Sequence, residues 1–135
     1  MALKASELKI GDTYTECLVE DLKRTQIVQY AGASGDYNPL HTDEVFTTEV
    51  AKYPSVFAHG MLTMGMTGRM LTNYVGDGRL KSFGVRFTNQ VWPGDTLHST
   101  ATVEEVNGDE VKLEVSTTNQ DGTVVVSGDA TARVD

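Results

Sequence analysis

The 135-residue sequence predicts an α+β fold in which an antiparallel sheet wraps around one long helix. Three observations support this prediction. From Leu80 onward, apolar and polar residues alternate with a period of two, and turn-forming sequences separate the alternating runs. One earlier stretch, from His59 to Val75, is helical in pattern and apolar nearly all round. A sheet with one apolar face needs a cover, and this is the only sufficiently apolar helix in the chain.

The chain begins with a predicted strand, from about Thr13 to Leu22, which is followed by a helix. Thr25 is a suitable N-cap for that helix, whose apolar face contains Ile27, Tyr30 and Ala31 at helical spacing. Gly32 and Gly35 are expected to end it. A second short helix is predicted from Asp43 to about Lys52, with three side chains facing inward: Val45, Phe46 and Val50.

The long helix, His59 to Val75, is expected to be buried on most sides. Leu62, Met66 and Met70 form one stripe, and Gly65 and Gly68 lie beside it. Glycine lowers helix propensity by about 1 kcal/mol, so close approach of a neighbouring backbone is the preferred explanation for these two residues.

Four half-buried strands are predicted in the second half of the chain. Their inward-facing residues are Phe83, Val85, Phe87 and Val91; Leu97, Ala101 and Val103; Val111, Leu113 and Val115; and Val124, Val126, Ala130, Ala132 and Val134. The segments 107–109 and 120–122 are expected to form hairpin turns, and Trp92-Pro-Gly-Asp95 joins the first two of these strands. Strand order does not follow from the pattern alone.

Length and charge restrict the class of protein. A chain of this length is expected to form one domain, residues 1–135, with a single core. The net charge of −8 and the pI near 4.7 argue against nucleic acid or an anionic membrane as the partner, because both require a basic surface.

Cysteine usage and hydropathy predict a cytoplasmic protein. Cys17 is the only cysteine, which excludes an intrachain disulfide and favours a reducing compartment. The first seven residues lack the apolar core of a signal peptide. The longest stretch without charged residues, Tyr53 to Gly68, is shorter than the roughly 20 residues of a membrane span.

The segment Ser34 to His41 carries the first candidate for chemistry. It places a carboxylate, Asp36, and an imidazole, His41, five positions apart. Gly35 and Pro39 are expected to prevent a regular helix there, so a turn can aim both side chains at one point. A carboxylate and a histidine that share a water molecule form a general acid/base pair.

Together with this segment, Tyr30 and His59-Gly-Met61 resemble the MaoC-like family of (R)-specific enoyl-CoA hydratases and (3R)-hydroxyacyl dehydratases. The resemblance extends more loosely through 83–87 and 91–95. It implies a hot-dog fold, addition of water to a trans-2-enoyl thioester, and catalysis by Asp36 and His41 without a cofactor. Coenzyme A or an acyl carrier protein would be part of the substrate. Thr47 stands where the family usually has Ala or Ser.

Three further residues are candidates for binding substrate. His59 and Gly60 lie at the expected start of the long helix, where free N–H groups and the helix dipole can stabilise an oxyanion. Gly60 would leave room for the thioester, although it could merely allow a tight entry to the helix. His59 is more readily explained as a positioning residue that bonds backbone. Asn38 is better explained by a turn that it closes before Pro39 than by contact with substrate.

Two other kinds of site are disfavoured. Asp36, His41, Asp43 and His59 are residue types that bind zinc or iron, but no His-x-His or Glu-x-x-His spacing forms a metal site. Ser34 lacks the Gly-x-Ser-x-Gly turn of a serine nucleophile. Three methionines are compatible with either an acyl tunnel or ordinary core packing: Met61, Met64 and Met66.

The acyl carrier raises a question of charge, because coenzyme A is polyanionic and the chain is acidic. Five basic residues are candidates for a local phosphate-binding patch: Lys52, Arg69, Arg79, Lys81 and Arg86. The acyl chain length, the carrier and the physiological direction stay open.

Two rival functions are considered. A hot-dog thioesterase would typically carry a carboxylate on or near the central helix, and residues 59–75 contain none. A non-catalytic subunit of a heteromeric hydratase would not need both Asp36 and His41. We also expect at least a homodimer with substrate at the subunit boundary, because a single sheet leaves exposed edges.

Overall fold

The computed structural model describes residues 3–135. Five antiparallel strands form one sheet in the order β1-β3-β4-β5-β2, with β1 at Thr13–Val19, β2 at Leu80–Phe87, β3 at Leu97–Asn107, β4 at Glu110–Thr118 and β5 at Val124–Arg133. The α-helices are α1 (Arg24–Ser34), α2 (Pro39–Thr42) and α3 (Gly60–Val75). A 3-10 turn at Ala5–Glu7 and a π-helical turn at Phe46–Val50 complete these elements. None of the helices in the described residues could span a bilayer.

The sheet wraps around α3, which contacts β1, β2, β3 and β5. This arrangement is the predicted hot-dog fold. The inward-facing residues of the central strands are almost completely buried, as the alternation predicts: Leu97, Ala101 and Val103 on β3, and Val111, Leu113 and Val115 on β4. From α3, the core receives Met66, Met70, Leu71 and Val75.

The turns between the last strands also follow the prediction. Asn107 pairs with Glu110 across the first hairpin, where Gly108 adopts a φ of +62°. The second hairpin turns at residues 120–122, and Asn119 accepts from the N–H groups of both Asp121 and Thr123. A hydrogen bond from Asp95 N to Trp92 O closes the turn before β3.

The inner face of the sheet contains a row of hydroxyl groups that the alternation of apolar residues did not reveal. Ser99 on β3 and Thr117 on β4 are fully buried and hydrogen-bonded to each other at 2.9 Å. Thr67 on α3 lies 2.7 Å from the Thr117 hydroxyl and also bonds the carbonyl oxygen of Thr63. The helix is therefore joined to the sheet by polar contacts as well as by apolar packing.

The first helix differs from the prediction at both ends. Its N-cap is Lys23 rather than Thr25, because the Gln26 side chain accepts from Lys23 N and satisfies the first free N–H. Gly32 lies inside the helix, and Gly35 alone ends it, with φ +77°. The preceding strand is three residues shorter than expected.

The prediction for the second helix is wrong about which side chains face inward. Asp43 does begin the segment, since its carboxylate accepts from Phe46 N. However, Val45 and Val50 are 63% and 66% exposed, and Thr47 is buried instead. The π-helical turn explains the difference, because its extra residue rotates the faces relative to a regular α-helix.

The helix α3 matches the predicted bounds, with His59 as its N-cap. The expected role of its glycines was wrong. A Cβ at Gly65 would meet open space, and at Gly68 it would meet the Phe83 ring at 3.4 Å rather than a backbone. The face that includes Met61 and Gly65 is exposed in the single chain, so α3 is less enclosed than its composition suggested.

Candidate active site

The turn after α1 brings the two predicted acid/base residues to the same place. Gly35 reverses the chain in a left-handed conformation. Asn38 then caps α2, and its side-chain oxygen accepts from Leu40 N at 3.0 Å. Pro39 is compatible with a helix here because it occupies the first turn, where its missing N–H is not needed. A one-turn helix therefore replaces the expected irregular turn, and it carries His41.

His41 is held in one orientation by its Nδ1 atom, which lies 2.7 Å from the carbonyl oxygen of Phe57. Since a carbonyl can only accept, Nδ1 carries the proton and Nε2 has a free lone pair. Burial lowers the pKa of His41, an effect that the nearby His59 reinforces and that the Phe57 carbonyl and Asp36 oppose. The ring is therefore neutral near pH 7 and can accept a proton through Nε2.

Asp36 and His59 complete the cluster. The Nε2 atom of His59 donates to the backbone carbonyl of Asp36 at 3.0 Å. One carboxylate oxygen of Asp36 accepts from Asn38 N at 3.2 Å. Side-chain ligand atoms of Asp36, His41 and His59 all lie within 4.8 Å of one another. His59 is buried, His41 is partly buried and Asp36 is exposed, so the cluster extends from the interior to the surface.

The same three residues could be taken for a metal site, but their geometry does not favour one. The rings of His41 and His59 are stacked, with centroids 3.9 Å apart and an angle of 24° between planes. Nitrogen lone pairs lie in the ring plane, so an ion in the plane of one ring would lie well out of the plane of the other. The fourth suggested ligand, Asp43, caps the following helical turn instead.

An aromatic cluster supports His41 from the other side. The Phe57 ring meets the His41 ring edge to face at a centroid distance of 5.3 Å. Tyr53 and Trp92 pack on Phe57 at 5.0 and 5.6 Å. Sequence reasoning missed this support; the only signal was the occurrence of three aromatic residues in non-repetitive segments near the motif.

Two polar side chains hold the segment between α1 and α3. Glu44 pairs with Arg24 of α1 at 2.5 Å and accepts from Val56 N at 3.3 Å. The hydroxyl of the buried Thr47 lies 2.7 Å from Asp43 O and 3.0 Å from Pro39 O. The hydroxyl at position 47, which Ser would share and Ala would lack, therefore contacts α2, and threonine fits the local packing.

A cavity of about 300 Å³ lies beside the first turn of α3. Its walls include Gly60, Thr63 and Phe87, and also Phe57, whose carbonyl oxygen bonds His41. Most of the remaining lining is apolar: Ala58, Val91, Val125 and Val126. A Cβ at Gly60 would lie 3.0 to 3.2 Å from the Phe87 ring. The glycine thus leaves room for Phe87, in addition to the space expected for a ligand.

The other residues suggested for substrate binding are placed differently. Asn38 is occupied by its capping hydrogen bond. Three of the five candidate cations are engaged elsewhere: Arg69 with Leu18 O, Arg79 with Asp135 and Lys81 with Glu110. Lys52 and Arg86 are exposed. Of the methionines, Met66 is in the core and Met61 is exposed.

Comparison with known proteins identifies the family of the chain. The family model described as a MaoC-like domain matches residues 6–126. The chain belongs to the MaoC-like family. A 3-hydroxyacyl-thioester dehydratase of Mycobacterium tuberculosis is 45% identical over 67 residues, which are 47% of this chain and 23% of that protein. A probable enoyl-CoA hydratase 2 of Dictyostelium discoideum is 34% identical over 105 residues, which are 76% of this chain and 34% of that protein.

A solved structure extends the similarity over the whole MaoC-like fold. The unliganded R-hydratase of Pseudomonas aeruginosa superposes with a TM-score of 0.83 at 27% identity, covering 98% of this chain and 86% of that one. The curated relatives are longer, and the chain spans 23% and 34% of the two named above.

Proposed function

We propose that this chain is an (R)-specific hydratase or dehydratase, which adds water to trans-2-enoyl thioesters or removes it from (3R)-hydroxyacyl thioesters. The observation that carries the proposal is the placement of His41, whose Nδ1 donates to Phe57 O and whose ring lies in a cluster with Asp36 next to the N-terminus of α3. The family of the chain includes hydratases and dehydratases of this substrate class.

In the hydration direction, a water molecule bound by Asp36 and His41 attacks the β-carbon of the enoyl thioester. The pair accepts one proton from this water as the new C–O bond forms. The C=C electrons move to the thioester, which becomes an enolate. The pair then returns one proton to the α-carbon, so that water is added and both side chains regain their starting states.

The enolate oxygen requires hydrogen-bond donors. Gly60 is the first residue of α3, so its N–H has no acceptor within the helix. Together with the positive end of the helix dipole, this N–H can stabilise the developing charge, and one such donor contributes about 3 kcal/mol. His59 acts as a positioning residue, because its ring bonds the Asp36 backbone.

The functional unit is proposed to be a cytoplasmic homodimer, or a higher homo-oligomer, with substrate at the subunit boundary. Two observations support assembly. The strand β2 is at one edge of the sheet. At its end, Phe87 is 51% exposed, and Met61 of α3 is 55% exposed. Apolar side chains of this size beside an unpaired edge can be covered by a second copy.

Hydration of crotonyl-CoA and longer trans-2-enoyl-CoA substrates tests the function. We expect loss of the ultraviolet absorbance of the conjugated thioester, and chiral analysis should give the (3R)-hydroxy product. An (S) product, or release of free coenzyme A without hydration, would contradict the proposal. Parallel assays with acyl carrier protein thioesters determine the carrier.

A further inference from the structure

Thr63 occupies an unusual position in the first turn of α3. The residue is 1% exposed and lines the cavity that also contacts Gly60. Its hydroxyl has no hydrogen-bond partner among the described residues. Burial of an unpaired hydroxyl destabilises a fold, so such a group calls for a specific explanation. A ligand that supplies the missing partner is one.

Helix geometry places the Thr63 side chain over the turn that contains Gly60. Side chains on an α-helix lean toward the N-terminus and cover the preceding turn. Thr63 lies three residues after Gly60, on the same side of α3, and both residues line the cavity. The two donors therefore belong to one end of the cavity.

A second unpaired atom lies close by, but it has the opposite character. The Nδ1 atom of His59 is buried without a partner. Since His59 Nε2 must carry the proton that bonds the Asp36 carbonyl, Nδ1 has only a lone pair. It can accept a hydrogen bond and cannot stabilise an anion. Of the two unpaired groups, Thr63 alone can donate to an oxyanion.

We propose that Thr63 is a catalytic residue. Its hydroxyl is the second hydrogen-bond donor to the thioester oxygen, and the Gly60 N–H is the first. The inference rests on the proposed hydration of enoyl thioesters for its place in the reaction. The hydroxyl is unpaired in the free protein because its acceptor arrives with the substrate. Its hydrogen bond strengthens as negative charge develops on the oxygen, so it contributes mainly to kcat.

The test replaces Thr63 by Val, which keeps the shape and removes the hydroxyl. Thr63→Val should lower kcat by about 10²-fold with little change in KM, the range for loss of one oxyanion donor. Its melting temperature should be equal to or above that of the wild type, since an unpaired buried group is removed. Thr63→Ser should recover most of the activity. Thr67→Val, one turn further along, is the matched control and should keep kcat.

A second measurement does not depend on hydration. Acetoacetyl-CoA can bind as its enolate, which has its own ultraviolet band. The wild-type protein should increase this band, Thr63→Val should lose most of the increase, and Thr67→Val should retain it. If Thr63→Val binds the enolate and turns over like the wild type, or if the wild type does not stabilise the enolate, the assignment is wrong. A protein that stabilises the enolate through Thr63 but hydrates no enoyl thioester would refute only the proposed reaction.

Discussion

Two successive turns of α3 differ in what their buried hydroxyl groups bond. Thr63 and Thr67 lie four residues apart, and both are almost completely buried. The Thr67 hydroxyl bonds both Thr63 O and the Thr117 hydroxyl, whereas the Thr63 hydroxyl bonds nothing in the described residues. The first turn faces a cavity and the later turns face the sheet. Substitutions in the first turn should therefore change turnover, and those in later turns should change stability.

The largest effect is expected from the acid/base pair. His41→Ala and Asp36→Ala should each lower hydration by about 10²- to 10⁴-fold, the usual contribution of a general acid or base, with folding retained. Enoyl-CoA kinetics with circular dichroism measure both. His98→Ala is a control, since His98 is an exposed histidine on the sheet. A His41 variant with wild-type turnover would remove that residue from the mechanism.

The sheet-facing turns should respond in the opposite way. Leu71 has no exposed surface, so Leu71→Ala should lower the free energy of unfolding by about 2 to 5 kcal/mol. Turnover per folded molecule should stay near that of the wild type. Val28→Ala, at an exposed position, should change stability by less than about 0.5 kcal/mol. Denaturant titration measures these differences, and a stable but inactive Leu71→Ala protein would contradict the separation.

Glycines on α3 give a finer comparison. Gly60→Ala places a methyl group against the Phe87 ring at the cavity, so turnover should fall by about tenfold or more with a smaller loss of stability. Gly65→Ala meets open space in the single chain and should stabilise the helix by up to about 1 kcal/mol. Wild-type activity in the bulkier Gly60→Val would show that the oxyanion site lies elsewhere.

The smallest effect is a shift in pH dependence. Burial lowers the pKa of His41 below its ordinary value of 6.5, so the neutral, active form persists below that pH. The acidic limb of kcat/KM should lie below pH 6.5. Folding stability also depends on this pKa, because His41 in the unfolded chain has the ordinary value of 6.5. The free energy of unfolding should be highest above pH 6.5 and should decrease as the pH falls through the lower His41 pKa of the folded protein. NMR titration of the His41 ring checks the direction, and a raised pKa would contradict it.

The sequence predicted the sheet better than the segment that carries the site. From β2 to β5, a period of two follows directly from burial of one face, so the strands and turns were correct. Two residues predicted to face inward were wrong, since Phe87 and Val124, at strand ends, are 51% and 37% exposed, and Val91 is buried but lies beyond the end of β2. Between residues 36 and 59, local structure depends on side chains that bond backbone, such as Asn38 with Leu40 N and Thr47 with α2. Such hydrogen bonds leave no periodic pattern in the amino-acid sequence. The Asp36 and His41 motif was visible, but the Phe57 carbonyl that orients His41 was not, because any residue could supply it.

The central claim is that Asp36 and His41 act together on one water molecule. The most direct measurement is the hydration rate of Asp36→Ala, of His41→Ala and of the double variant under the same conditions. Two groups that serve one proton transfer are not additive, so the double variant should be little slower than either single variant. If the two losses multiply, the residues act independently and a shared water is excluded.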